Sequence, residues 1–191
     1  MPTISVVNCS MPSGVIRRQW RTGRRSAGLN RRAGREPELE RPLHAGPDIN
    51  LQLPALLPDD YLPDVSQRLR LYKRIASAAD AGALADLQSE MVDRFGTLPG
   101  PARTLFRIAA LRLRAAPLGI LRLEAGPLRG LVEFGEDPGV DPARVIRLVQ
   151  QDPKRYRLDG SHRIRFSIPS GDERGRLKMA QDLLDELGAA S

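Results

Sequence analysis

The chain has 191 residues, 41% of them hydrophobic, and a net charge of +7, which is enough apolar material for a real core in one domain or two small ones. No apolar run approaches the roughly 20 residues that span a bilayer, and the N-terminus lacks the charged, apolar, small-residue order of a secretory leader, so no membrane partner and a cytoplasmic location are expected. Cys9 is the only cysteine, which excludes an intrachain disulfide and a multi-cysteine zinc site.

The positive charge is concentrated at the start. Residues 1–35 hold eight arginines and neither lysine nor acid, leaving 22 basic against 23 acidic residues from position 36 onward. Arginine there is mixed with Gly, Ser, Asn and Pro without periodicity, so residues 1–35 are read as a disordered tail. The same composition also fits an organellar transit peptide or a nucleic-acid-binding arm, but is read first as a tail left by truncation or an upstream stretch that is not native coding sequence. Residues 36–63 carry prolines at 37, 42, 47, 54, 58 and 63, which forbid a long helix. They read as an extended linker with one short strand alternating through Ile49, Leu51 and Leu53.

Three helices are predicted next. Asp64 caps the first, over Val65 to Ala78, with Val65, Leu69, Tyr72, Ile75, Ala76 and Ala79 at helical spacing. Asp80 caps the second, whose inner stripe is Leu84, Leu87, Met91 and Phe95, and Gly96 ends it. The third begins near Pro101, faces inward through Leu105, Ile108, Ala109 and Leu113, and closes at Pro117.

From Leu118 the pattern changes. "LGILRLEAG" and "GLVEFG" read as a hairpin, and "DPARVIRLVQQDP" as a helix capped by Asp141 with Val145, Ile146, Leu148 and Val149 on its apolar side. "KRYRLDGSHRIRFSI" reads as a second hairpin turning at Asp159-Gly160, and residues 172–187 as a helix burying Leu177, Ala180, Leu183, Leu184 and Leu187. The fold class is therefore α+β: an N-terminal three-helix layer followed by two β-hairpin/helix units, ββα-ββα, over residues 64–188.

Catalytic chemistry is thinly represented. There is no phosphate loop, dinucleotide fingerprint, HExxH or GxSxG, and only His44 and His162 are available as imidazole bases or ligands. The pairs Asp59-Asp60 and Asp172-Glu173 are adjacent in loops, where solvation or helix N-terminal charge placement explains them. No catalytic residue, metal or cofactor is expected. In the second hairpin Lys154, Arg155, Arg157, Arg163 and Arg165 surround Tyr156 and Phe166. Strand alternation turns the aromatics and Leu158 inward, leaving a basic outer face that reads first as solvated sheet and second as a phosphate contact.

On the second helix, steps of 100° put Asp86, Glu90, Asp93 and Arg94 away from the apolar stripe. Taken alone they suggest an i, i+4 ion pair from Glu90 to Arg94 and a solubilising Asp93.

The blocks "LPDVSQRLRLYKRIASA", "EMVDRFGTLPGPARTLFRIAALRLRAAPLGI" and "YRLDGSHRIRF" closely resemble the C-terminal domain of the bacterial transcription-repair coupling factors, the Mfd translocase family. "REPELERPLHAGPDINLQLPALLPDDY" looks like the linker that joins that domain to the motor. The resemblance implies a protein that recognises RNA polymerase stalled at a DNA lesion, displaces it by ATP-driven translocation and recruits UvrA. The motor lies upstream of the matching region, so no enzyme activity is implied for this chain. The C-terminal domain is implied to pack on a UvrB-like module, masking the UvrA-binding surface and restraining the motor. Glu90, Asp93 and Arg94 match the family residues at that contact. The alternative reading is a free-standing DNA-associated protein using residues 1–35.

Overall fold

The computed structural model describes residues 46–188. The expected disordered tail over 1–35, the first part of the linker, Cys9 and His44 lie outside the described residues. Elements follow the order β1 (Asp48–Asn50), α1 (Val65–Ala76), α2 (Ala81–Phe95), α3 (Gly100–Ala115), a 3-10 turn (Ala116–Leu118), β2 (Ile120–Ala125), β3 (Arg129–Phe134), α4 (Pro142–Gln151), β4 (Tyr156–Leu158), β5 (Arg163–Ser167) and α5 (Glu173–Gly188). This is the α+β class, with three helices preceding a ββα-ββα succession.

The caps are local and follow from side-chain chemistry. Asp64 accepts from the amides of Ser66 and Gln67, Asp80 from Ala83, and Asp141 from Ala143, each satisfying helix donors that have no intrahelical partner. Gly96 ends α2 at φ 81°, a conformation that side chains with a Cβ rarely adopt. Pro117 falls in the 3-10 turn that terminates α3.

The two hairpins do not stand apart. They join through β3 and β5 into one five-stranded sheet of order β1-β2-β3-β5-β4, to which β1 adds in parallel beside β2. Inward residues align across it, with Ile49 opposite Leu123, Leu123 opposite Val132 and Val132 opposite Ile164. A register shift between Ile120 and Arg122 inserts Leu121 as a bulge, which turns that leucine out to solvent. The second hairpin is wider than a two-residue Asp159-Gly160 turn. Leu158 pairs with Ile164, the Asp159 amide donates to the Arg163 carbonyl at 2.9 Å, and Gly160 takes φ 75° inside a looser loop.

Packing forms two clusters. One joins the sheet to α5 through Leu123, Val132, Ile164, Phe166, Leu183 and Leu184. The other gathers α1 and α2 through Leu71, Ile75, Leu84, Leu87 and Met91. Helix α3 serves both, giving Ala102 and Phe106 to the helical cluster and Leu111 and Ala115 to the sheet cluster. Its most buried residues are these four, whereas the expected Leu105, Ile108, Ala109 and Leu113 are half-buried on its flanks. A helix packed on two sides has no single apolar stripe for periodicity to find.

Helix α1 has one buried face, and it is not the expected one. Val65 and Leu69 are 58% and 63% exposed, and the buried residues are Leu71 and Ile75. The segment before α1 lies along it, with the Leu57 amide donating to the Tyr72 hydroxyl at 2.7 Å and Arg68 donating to the Leu62 carbonyl at 2.6 Å. That segment inserts Leu57 and Leu62 into the helical cluster, while Leu51 joins the sheet cluster. Ile146 of α4 and Leu158 at the end of β4 are likewise half exposed, because α4 docks through Leu148 and edge strand β4 stops at the margin of the core.

Candidate interaction surface

Helix α2 buries Leu84, Leu87 and Met91, and Phe95 packs at the margin of the same cluster. The opposite side is thereby committed to solvent, and Asp93 and Arg94 are exposed there with Glu90 half-buried. The end of the helix is held firmly. The Tyr61 hydroxyl donates to the Gly96 carbonyl at 3.0 Å, its ring meets Phe95 edge-on at 6.2 Å, and the Arg94 guanidinium lies 5.1 Å from the centroid of the Phe95 ring.

Glu90 and Arg94 meet as the spacing suggests, with Arg94 Nη1 donating to Glu90 Oε1 at 2.9 Å. A third residue, absent from the sequence reading, completes the arrangement. Arg74 in the last turn of α1 donates from Nη1 to Glu90 Oε1 at 2.9 Å and from Nη2 to Oε2 at 2.6 Å. The two-pronged bond to Arg74, followed by the single bond to Arg94, holds the Glu90 carboxyl down from 4.5 to about 2. The Arg74 guanidinium is raised in turn.

Among the described residues Asp93 has no ion-pair partner. It stands at one end of a shallow hollow lined by Ala85, Gln88, Ser89, Val92 and Asp93, whose i, i+3, i+4, i+7, i+8 spacing is one outer stripe of α2. The three expected residues thus divide. Glu90 is a neutralised anchor between helices, while Asp93 and Arg94 present opposite charges outward about one residue apart along the helix. Nothing local to Arg74 signals its partner, because the pair is separated by 16 positions and depends on how α1 and α2 cross.

Two of the other residues weighed in the sequence sit in backbone-anchored turns. Asp172 accepts from the Gly175 amide at 2.8 Å at the start of α5, and the His162 carbonyl accepts from the Phe134 amide. Among the described residues no group of three or more His, Cys, Asp or Glu is placed to hold a metal ion, and no helix is long and apolar enough to cross a membrane.

A family model described as the TRCF domain matches residues 51–145. The chain is 45% identical over 156 residues to the transcription-repair-coupling factor of Escherichia coli K12 and 44% identical over 156 residues to that of Haemophilus influenzae. Each alignment covers 82% of this chain and 14% of the relative, so the chain spans a small part of the length of these proteins. A crystal structure of the C-terminal domain of transcription-repair coupling factor matches with a TM-score of 0.57 at 20% identity, over 76% of this chain and 96% of that one, and so has the same fold.

Proposed function

This chain belongs to the transcription-repair-coupling factor family and carries its C-terminal TRCF domain, and from that premise we propose that it is a non-catalytic regulatory module acting in the bacterial cytoplasm. In this reading it docks on the UvrB-like module of a coupling factor, masks the surface that recruits UvrA and restrains the DNA translocase motor until RNA polymerase is engaged.

One observation carries the reading: Asp93 and Arg94 project from a helix end that is braced before any partner arrives. Arg74 holds Glu90 and Glu90 holds Arg94, so little side-chain freedom is lost at that end on docking. A contact made of a carboxylate and a guanidinium at the rim, beside a shallow hollow, gives specificity without a large apolar area. Such a contact opens readily, as a restraint that must be released requires.

The test is binding in trans. Titration calorimetry of this chain into an isolated UvrB-like module should show an affinity that falls by about ten-fold or more on Asp93→Arg or Arg94→Glu. Unchanged affinity in both variants would remove the assignment of this face.

A further inference from the structure

The open face of the sheet carries a charge arrangement that the fold does not require. Ile164 and Phe166 of β5 point into the core, so Arg163 and Arg165 point out, and Tyr156 of β4 points in while Arg157 points out. The register sets Arg157 directly opposite Arg165, on strands spaced about 4.8 Å apart. Like charges directly opposite destabilise a sheet. Arg165 is relieved by Asp159, which accepts from its Nε at 2.9 Å, and Arg163 by Glu133 at 2.9 Å. Among the described residues Arg157 has no acidic partner, nor does Arg129 on the same face of β3.

We infer that this face, centred on the Arg157–Arg165 pair, is a docking surface for an acidic segment of a partner protein. A carboxylate seated between two guanidinium forks cancels the cross-strand repulsion and is held in plane by both. Nucleic acid fits the surface less well. From position 36 onward 22 basic face 23 acidic residues, so the part of the chain that forms this sheet adds no broad positive field of the kind that draws in nucleic acid. Glu124 and Glu133 stand on the same face, and the aromatics Tyr156 and Phe166 are buried where no base can stack on them. Mixed signs across neighbouring strands suit a protein strip that is mainly acidic and meets Glu124 or Glu133 with a cation of its own. The surface shares no residue with the α2 face, so either assignment can fail alone.

The experiment is an amide chemical-shift titration of the full chain with an alternating Glu-Thr octapeptide. We expect saturable shifts at Arg157, Arg163 and Arg165, with the affinity read there falling about ten-fold or more in both Arg157→Glu and Arg157→Ala. Arg157→Glu should also melt above the parent chain, since its carboxylate faces Arg165. Shifts confined to residues 1–35, shifts unchanged in both variants, or a short DNA duplex moving the same amides at lower concentration than the peptide would each overturn the inference.

Discussion

Arg74 and Glu90 face each other across the α1–α2 crossing with two parallel hydrogen bonds, at 2.9 and 2.6 Å, that use both carboxylate oxygens. Both partners of Glu90, Arg74 and Arg94, lie within its own domain. The carboxylate therefore ties Arg94 of the same helix to Arg74 of the neighbouring one.

That relationship has a pH signature. The Glu90 carboxyl lies near 2 in the fold against 4.5 ordinarily, so its contribution is fully present above about pH 4.5 and is lost as the pH falls toward 2. Glu90→Gln and Arg74→Ala should lower the melting temperature at pH 7, Arg74→Ala more than Arg94→Ala. The gap to the parent chain should narrow below pH 4.5 and close near pH 2, as followed by circular dichroism melts across that range.

Leu69 and Leu71 are two positions apart on α1 and differ completely in environment, at 63% and 3% exposure. Leu71→Ala should cost about 2–5 kcal/mol, and Leu69→Ala should change stability by no more than about 0.5 kcal/mol. Urea unfolding of the two variants checks the inward face of the helix.

Gly130 in β3 lies beneath the ring of Phe166. A Cβ added there would fall 2.1 Å from Phe166 Cζ and 2.6 Å from the Glu124 carbonyl oxygen, neither of which can yield without disturbing the sheet. Gly130→Ala should destabilise by about 1–3 kcal/mol, and Gly130→Ala with Phe166→Leu should recover part of that loss, measured by the same unfolding experiment.

Leu111 of α3 is 1% exposed and Leu113 is half-buried. Alanine at 111 should cost about 2–5 kcal/mol, clearly more than alanine at 113. The reverse order would return the helix to the single-stripe packing suggested by its periodicity.

Element types were legible wherever the cause is local. Asp64, Asp80 and Asp141 bond to amides two or three residues on, Gly96 stops a helix by its own backbone freedom, and alternation in "RIRFS" separates the buried Ile164 and Phe166 from the arginines. What escaped was set by distant neighbours. Leu69 reads as core until the 57–62 segment, bonded to Arg68 and Tyr72, fixes the inward face at Leu71 and Ile75, and α3 reads as one-faced until two clusters claim it. At the candidate surface the Glu90–Arg94 pair was legible from i, i+4 spacing, and the Arg74 fork was not, since it depends on a crossing between helices.

The segment from Asp48 to Leu62 touches each part of the domain in turn: β1 pairs with the sheet, Leu51 enters the sheet cluster, and Leu57 and Leu62 enter the helical one. Tension applied along the chain at Gly46 is therefore not delivered to a free tether. It falls first on a three-residue parallel ladder and on Leu51, and reaches Leu57, Leu62 and the Tyr72 and Arg68 bonds only after those yield. Mechanically, the domain is fastened to whatever precedes it by a seam that peels from the sheet toward α1 in sequence order.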